Sequence, residues 1–147
     1  MLTALKTIFA DFSGDTTTPT VSEQRQLRVA VADLLHEMTR IDSKQAAEET
    51  RAAVTALSGM FGLPDIDARA LFDEAASRRL TSYFEPASTI KRLLSMQQRI
   101  VLVESLWRVA FADAELDIYE DQFVRKIADL LYVPNTQCML ARGRAKT

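Results

Sequence analysis

The spacing of apolar positions along this chain is helical almost throughout. Leu2, Leu5, Ile8, Phe9 and Phe12 recur at intervals that predict an amphipathic helix over residues 1–12. Ser13 to Thr20 is polar and aperiodic, broken by Gly14 and Pro19, so residues 1–19 read as a helix and flexible linker set apart from a domain over 20–147. Thr20 and Glu23 form a capping box, and behind them Leu27, Val31, Leu34, Leu35, Met38 and Ile41 share one helical face. After a polar break at Asp42, Ser43 and Lys44, a further helix carries Ala53, Leu57, Met60 and Phe61 and stops at Gly62 and Pro64.

The second half repeats the idiom. Asp65 is expected to cap a helix with Leu71, Phe72, Ala75 and Ala76 inward, and a short helix spans Pro86 to Leu94. Ser95 and Gln98 form another capping box before Met96 to Ala112, which is apolar on most sides and is therefore expected to be the central helix. Asp117 and Glu120 cap the next, whose Phe123, Val124, Ile127 and Leu131 face the core. Asn135 is expected to cap a last short helix, and Arg142, Arg144 and Lys146 read as its solvated end. The expectation is an all-α, single-domain bundle of about seven to eight helices. Composition agrees, since 48% of the 147 residues are apolar and Gly and Pro number only four each.

An internal repeat emerges at a constant offset of 71 residues, which pairs Leu35 with Leu106, Met38 with Val109, Asp42 with Asp113, Glu49 with Glu120 and Met60 with Leu131. One residue then drops out before Phe61 to Pro64 meets Leu131 to Pro134. Two helix-loop-helix units, about residues 22–64 and 95–134, can thus share a core about a pseudo-twofold axis.

Charge and chemistry narrow the function classes. Eighteen basic against 20 acidic side chains give a net charge of −2, which supplies no global attraction to nucleic acid. Cys138 is the one cysteine and His36 the one histidine, so an internal disulfide and the familiar zinc sets are excluded, and a cytoplasmic protein is expected. No apolar run approaches the ~18 residues that cross a bilayer. His36 and Glu37 lack the second histidine of a zinc-protease helix, because Arg40 stands there. His36 is better read as a half-exposed helix residue, Trp107 as core and Cys138 as a small buried hydrophobe. With no glycine-rich phosphate loop, nucleophile elbow or Cys/His pair, an enzyme would have to work with carboxylates alone, and no enzymatic activity is expected.

The acidic residues carry the remaining signal. Asp113, Glu115, Asp117, Glu120 and Asp121 fall within nine positions. Their self-repulsion can be offset by a cation: all-oxygen ligands suit Ca²⁺ or Mg²⁺, and the first three are spaced as in an EF-hand loop. That likeness ends at Ile118 and Val124, where the EF-hand needs Gly and a bidentate Glu, so affinity would be low. The alternative is helix capping, with Asp117 accepting from backbone amides, Glu120 closing the box and Asp113 turning back on its own loop. The first copy is weaker, because Lys44 stands where Glu115 stands in the second.

The run from Leu106 to Asp121, followed by Val124 to Leu131, resembles the second half of a TerB-like domain, the family named for tellurite-resistance operons. The Asp of its acidic loop and the Glu seven residues on are matched by Asp113 and Glu120, and in the first copy by Asp42 and Glu49. Similarity extends over about residues 20–141. The Gly that follows the Asp in the family pattern is replaced by Ala114 and Ser43. The resemblance implies a helical bundle of internal pseudo-symmetry without established enzymatic activity, and a divalent-cation site in the acidic loops. On charge, that site is expected at Asp113, Glu115, Asp117 and Glu120, with Asp42 and Glu49 as a depleted counterpart beside Lys44. The resemblance also implies protein partners in cytoplasmic, often membrane-associated, stress-response assemblies.

Overall fold

A computed structural model describes residues 20–41, 47–78, 80–112 and 116–146. The predicted N-terminal helix and linker, and the site residues Asp42, Asp113 and Glu115, lie outside the described residues. Within them are seven helices: α1 (Val21–Ile41), α2 (Ala47–Phe61), α3 (Asp65–Ser77), α4 (Phe84–Leu93), α5 (Met96–Ala110), α6 (Ile118–Leu130) and α7 (Asn135–Lys146). They form one helical bundle, as the apolar periodicity predicts.

The helices begin where the sequence places caps, in three of the five expected cases. Thr20 and Glu23 exchange backbone-to-side-chain bonds of 3.0 Å each. Reciprocal boxes also form at Ser95 with Gln98 and at Asp117 with Glu120. Asp65 departs from expectation: Pro64 holds the N-cap position without a side-chain bond, and Asp65 is the first helical residue, where a carboxylate still meets the positive end of the helix dipole. Asn135 likewise lies inside the first turn of α7. Ala76, expected inward, is exposed on α3, whose buried side is Ala68, Phe72 and Ala75.

Two helices share the centre rather than one. α1 packs against α2, α3, α4, α5 and α6, and α5 packs against α1, α2, α6 and α7. Leu34, Leu35 and Met38 of α1 meet Leu102, Leu106 and Trp107 of α5 in a single core, all fully buried. The indole of Trp107 donates to the carbonyl of Cys138 at 3.1 Å, which satisfies its polar edge and ties α5 to α7.

The repeat is visible in detail and reaches further than the sequence offset suggested. α1, α2 and α3 pack mutually, as do α5, α6 and α7. Gly62 ends α2 at φ 63° and Tyr132 ends α6 at φ 59°. Each is followed by the same closing bond, Leu63 N–H to the Ser58 carbonyl (3.1 Å) and Val133 N–H to the Ala128 carbonyl (2.9 Å). This is the closure of a Schellman motif. Pro64 and Pro134 then accept from the amides of Ala68 and Cys138, both buried, at the starts of α3 and α7.

The C-terminal arginines are not a solvated tail. Arg142 lies over the rings of Trp107 (5.4 Å) and Phe111 (5.5 Å) and pairs with Asp121 at 3.4 Å. Arg144 pairs with Glu104 at 2.5 Å. Both therefore fasten α7 to the bundle. No described helix is long and apolar enough to cross a membrane.

Candidate functional site

The acidic loops join α1 to α2 and α5 to α6, and each delivers the chain into a helix whose third residue is a glutamate: Glu49 in α2, Glu120 in α6. Both glutamates are fully buried, at 0% exposure. A carboxylate is almost never buried to that degree unless it is hydrogen-bonded, paired or bound to a metal.

In the second copy, capping accounts for part of this. Asp117 Oδ1 accepts from the Tyr119 amide at 2.7 Å, and Glu120 Oε1 accepts from the Asp117 amide at 3.3 Å. Asp121, the last acid of the run, is turned aside by Arg125 (2.5 Å) and Arg142 (3.4 Å). In the sequence of the first copy Ala46 stands at the position equivalent to Asp117, so the side-chain half of the box is absent there, and Glu49 is as buried as Glu120.

Of the six residues singled out by sequence, the described ones are therefore Glu49, Asp117 and Glu120. Asp117 and Glu120 adjoin through the capping box, and Glu49 occupies the equivalent turn of the other unit. Among the described residues no three His, Cys, Asp or Glu side chains converge as a complete metal cage. What is described in the second copy is a pair of carboxylates, Asp117 and Glu120, each committing an identified oxygen to a backbone amide.

The family model for tellurite resistance protein TerB matches residues 28–143. The chain belongs to the TerB family. The matched stretch contains both acidic loops, both buried glutamates and the whole of α2 to α6. No curated protein and no solved structure matches the chain.

The sequence reading missed a second concentration of buried charge in this TerB domain. Asp33 and Glu37 lie in α1 at 9% and 5% exposure. Their spacing of four, with His36 and Arg40 on the same edge, is a signal that could have been read beside the apolar stripe.

Proposed function

We propose that this TerB domain is a non-catalytic interaction module whose acidic loops hold a weakly bound divalent cation, Ca²⁺ or Mg²⁺. Asp113, Glu115, Asp117 and Glu120 would hold it in the second copy, with Asp42 and Glu49 as a depleted counterpart. The cation would supply charge neutralisation, setting the loop's shape for protein partners in a cytoplasmic stress-response assembly, peripheral to the membrane. The observation that carries this reading is the matched burial of Glu49 and Glu120. Burying an acid at the equivalent turn of both units concentrates negative charge beneath both loops, which a cation would offset. The completed box at Asp117 favours the metal-free adaptor as the second reading.

Substituting Asp117→Asn separates the two, because asparagine caps a helix as well as aspartate but carries no charge. Isothermal titration of the chelator-treated protein with Ca²⁺ and Mg²⁺ should give dissociation constants of about 10⁻⁴ to 10⁻³ M. Asp117→Asn and Asp113→Asn should each weaken them while leaving the cation-free melting temperature nearly unchanged. Heat-silent titrations, with no melting shift on adding either ion to the wild type, would leave the adaptor reading.

A further inference from the structure

Although α1 crosses the middle of the bundle, one edge of it is ionisable. Asp33, His36, Glu37 and Arg40 stand at positions that fall on a single stripe of a helix. That stripe meets the end of α3 and the connector to α4. Arg78 donates to Asp33 Oδ1 from Nε (3.1 Å) and Nη2 (2.6 Å). Arg40 grips Glu37, its Nε donating to Oε2 at 3.3 Å and its Nη2 donating to Oε1. The Tyr83 hydroxyl donates to Glu37 Oε1 at 3.3 Å. Between these groups lies a cavity of about 370 Å³ lined by His36, Glu37, Arg40, Ala76, Arg78 and Leu80.

Hydrogen-bond accounting indicates what such a cavity can take. Both oxygens of Glu37 are occupied. A guanidinium offers five N–H donors. Among the described residues Arg40 makes two bonds to Glu37; Arg78 makes two to Asp33 and a looser contact of 3.5 Å to Glu74. Donors therefore remain on both guanidiniums beside the imidazole of His36, whereas both oxygens of Glu37 and the Oδ1 of Asp33 are already engaged. The buried acids fix the two forks in place, and planar forks match the oxygens of carboxylates and phosphates. An apolar edge here would be at least as stable as these buried ion pairs, so stability alone is a weak reason for the stripe.

We infer that the cavity between α1 and the α3 to α4 connector binds a small oxyanion, a carboxylate or phosphoryl group, through Arg40, Arg78 and His36, with Asp33 and Glu37 as positioning residues. Balanced charge in the cluster makes recognition local, governed by the forks rather than by a long-range field.

The test is a titration of the ¹⁵N-labelled full chain with inorganic phosphate and, separately, acetate, at ionic strength held constant with sodium chloride. The readout is the side-chain N–H resonances of Arg40 and Arg78 and the ring of His36. Saturable shifts are expected at these groups, and Arg40→Gln should weaken the binding about tenfold. Arg78→Lys keeps the charge but loses the fork, and should weaken it too. Should Arg78→Lys fail to fold, Arg40→Gln decides, since the Arg40 side chain is 62% exposed and the glutamine amide can still donate to Glu37, with a cooperative melting transition confirming that the variant is folded. Tighter binding of phosphate assigns a phosphorylated ligand and tighter binding of acetate a carboxylate. Linear, unsaturable shifts in the wild type, or equal affinity in Arg40→Gln, would overturn the inference and leave the cluster as structural ion pairs.

Discussion

Gly62 and Tyr132 occupy the same left-handed backbone conformation at equivalent helix ends, yet only one of them is glycine. Side chains with a Cβ meet steric cost at positive φ, about 1–2 kcal/mol. At Tyr132 that cost is offset in part by the Lys91 ammonium, 4.0 Å from the ring centre. Gly62→Ala has no such compensation and should lower stability by about 1 kcal/mol, read as a shift in the urea midpoint. Gly143 gives the opposite case. It lies within α7, and a Cβ added there would meet nothing within 4 Å. Gly143→Ala should therefore raise stability by about 0.5–1 kcal/mol through helix propensity alone. A gain at Gly62 or a loss at Gly143 would mean that the conformations assigned to these two residues are wrong.

At the level of elements, helix starts and apolar faces do most of the specification. Ser95→Ala should cost about 1 kcal/mol, because the box it forms with Gln98 satisfies two amides at the head of the central helix α5. Thr20→Ala should cost less, since its box is solvent-exposed and water can replace it. Comparable losses in thermal unfolding would argue against that distinction. These caps were legible in the sequence because their partners are three residues apart, as were the stripes of α1 and α6, whose members are one turn apart. The 71-residue offset also predicted that Glu49 and Glu120 are equivalent. Their full burial was not legible, because a glutamate in a first turn reads as a solvated capping group until neighbouring helices close over it. Nor was the ionisable edge of α1. Arg78, which answers Asp33, lies 45 residues away along the chain, and periodicity shows which face a residue occupies but not what packs against that face. The arginines of α7 misled for the same reason, since Asp121, Glu104 and the Trp107 ring become their neighbours only when α7 docks on α5 and α6.

For the molecule as a whole, a buried imidazole and a long-range ion pair predict a two-step response to acid. Burial lowers the pKa of His36 below its ordinary 6.5; the Glu37 and Asp33 charges oppose that shift and the Arg40 charge adds to it. A folded state that resists protonation at His36 keeps its full stability above about pH 6.5 and loses some as the pH falls through that value. Glu104 behaves likewise at lower pH. Burial raises its pKa, but the guanidiniums of Arg144 at 2.5 Å and Arg108 at 2.8 Å outweigh burial and hold it below the ordinary 4.5. The link it makes between α5 and α7 is therefore intact above about pH 4.5 and lost as the pH falls through that value toward its lowered folded pKa. Asp33 has the opposite sign: burial raises its pKa above 3.8 despite Arg78, so the folded state takes up this proton more readily and part of the acid loss is offset. Urea midpoints measured from pH 8 to pH 3 should fall first near pH 6.5 and more steeply below pH 4.5. His36→Gln should flatten the first step and leave the second, and Glu104→Gln should reduce the second and leave the first. If either substitution changed both steps together, the buried imidazole and the Glu104 ion pairs would be coupled through the α1 and α5 core rather than responding to acid separately.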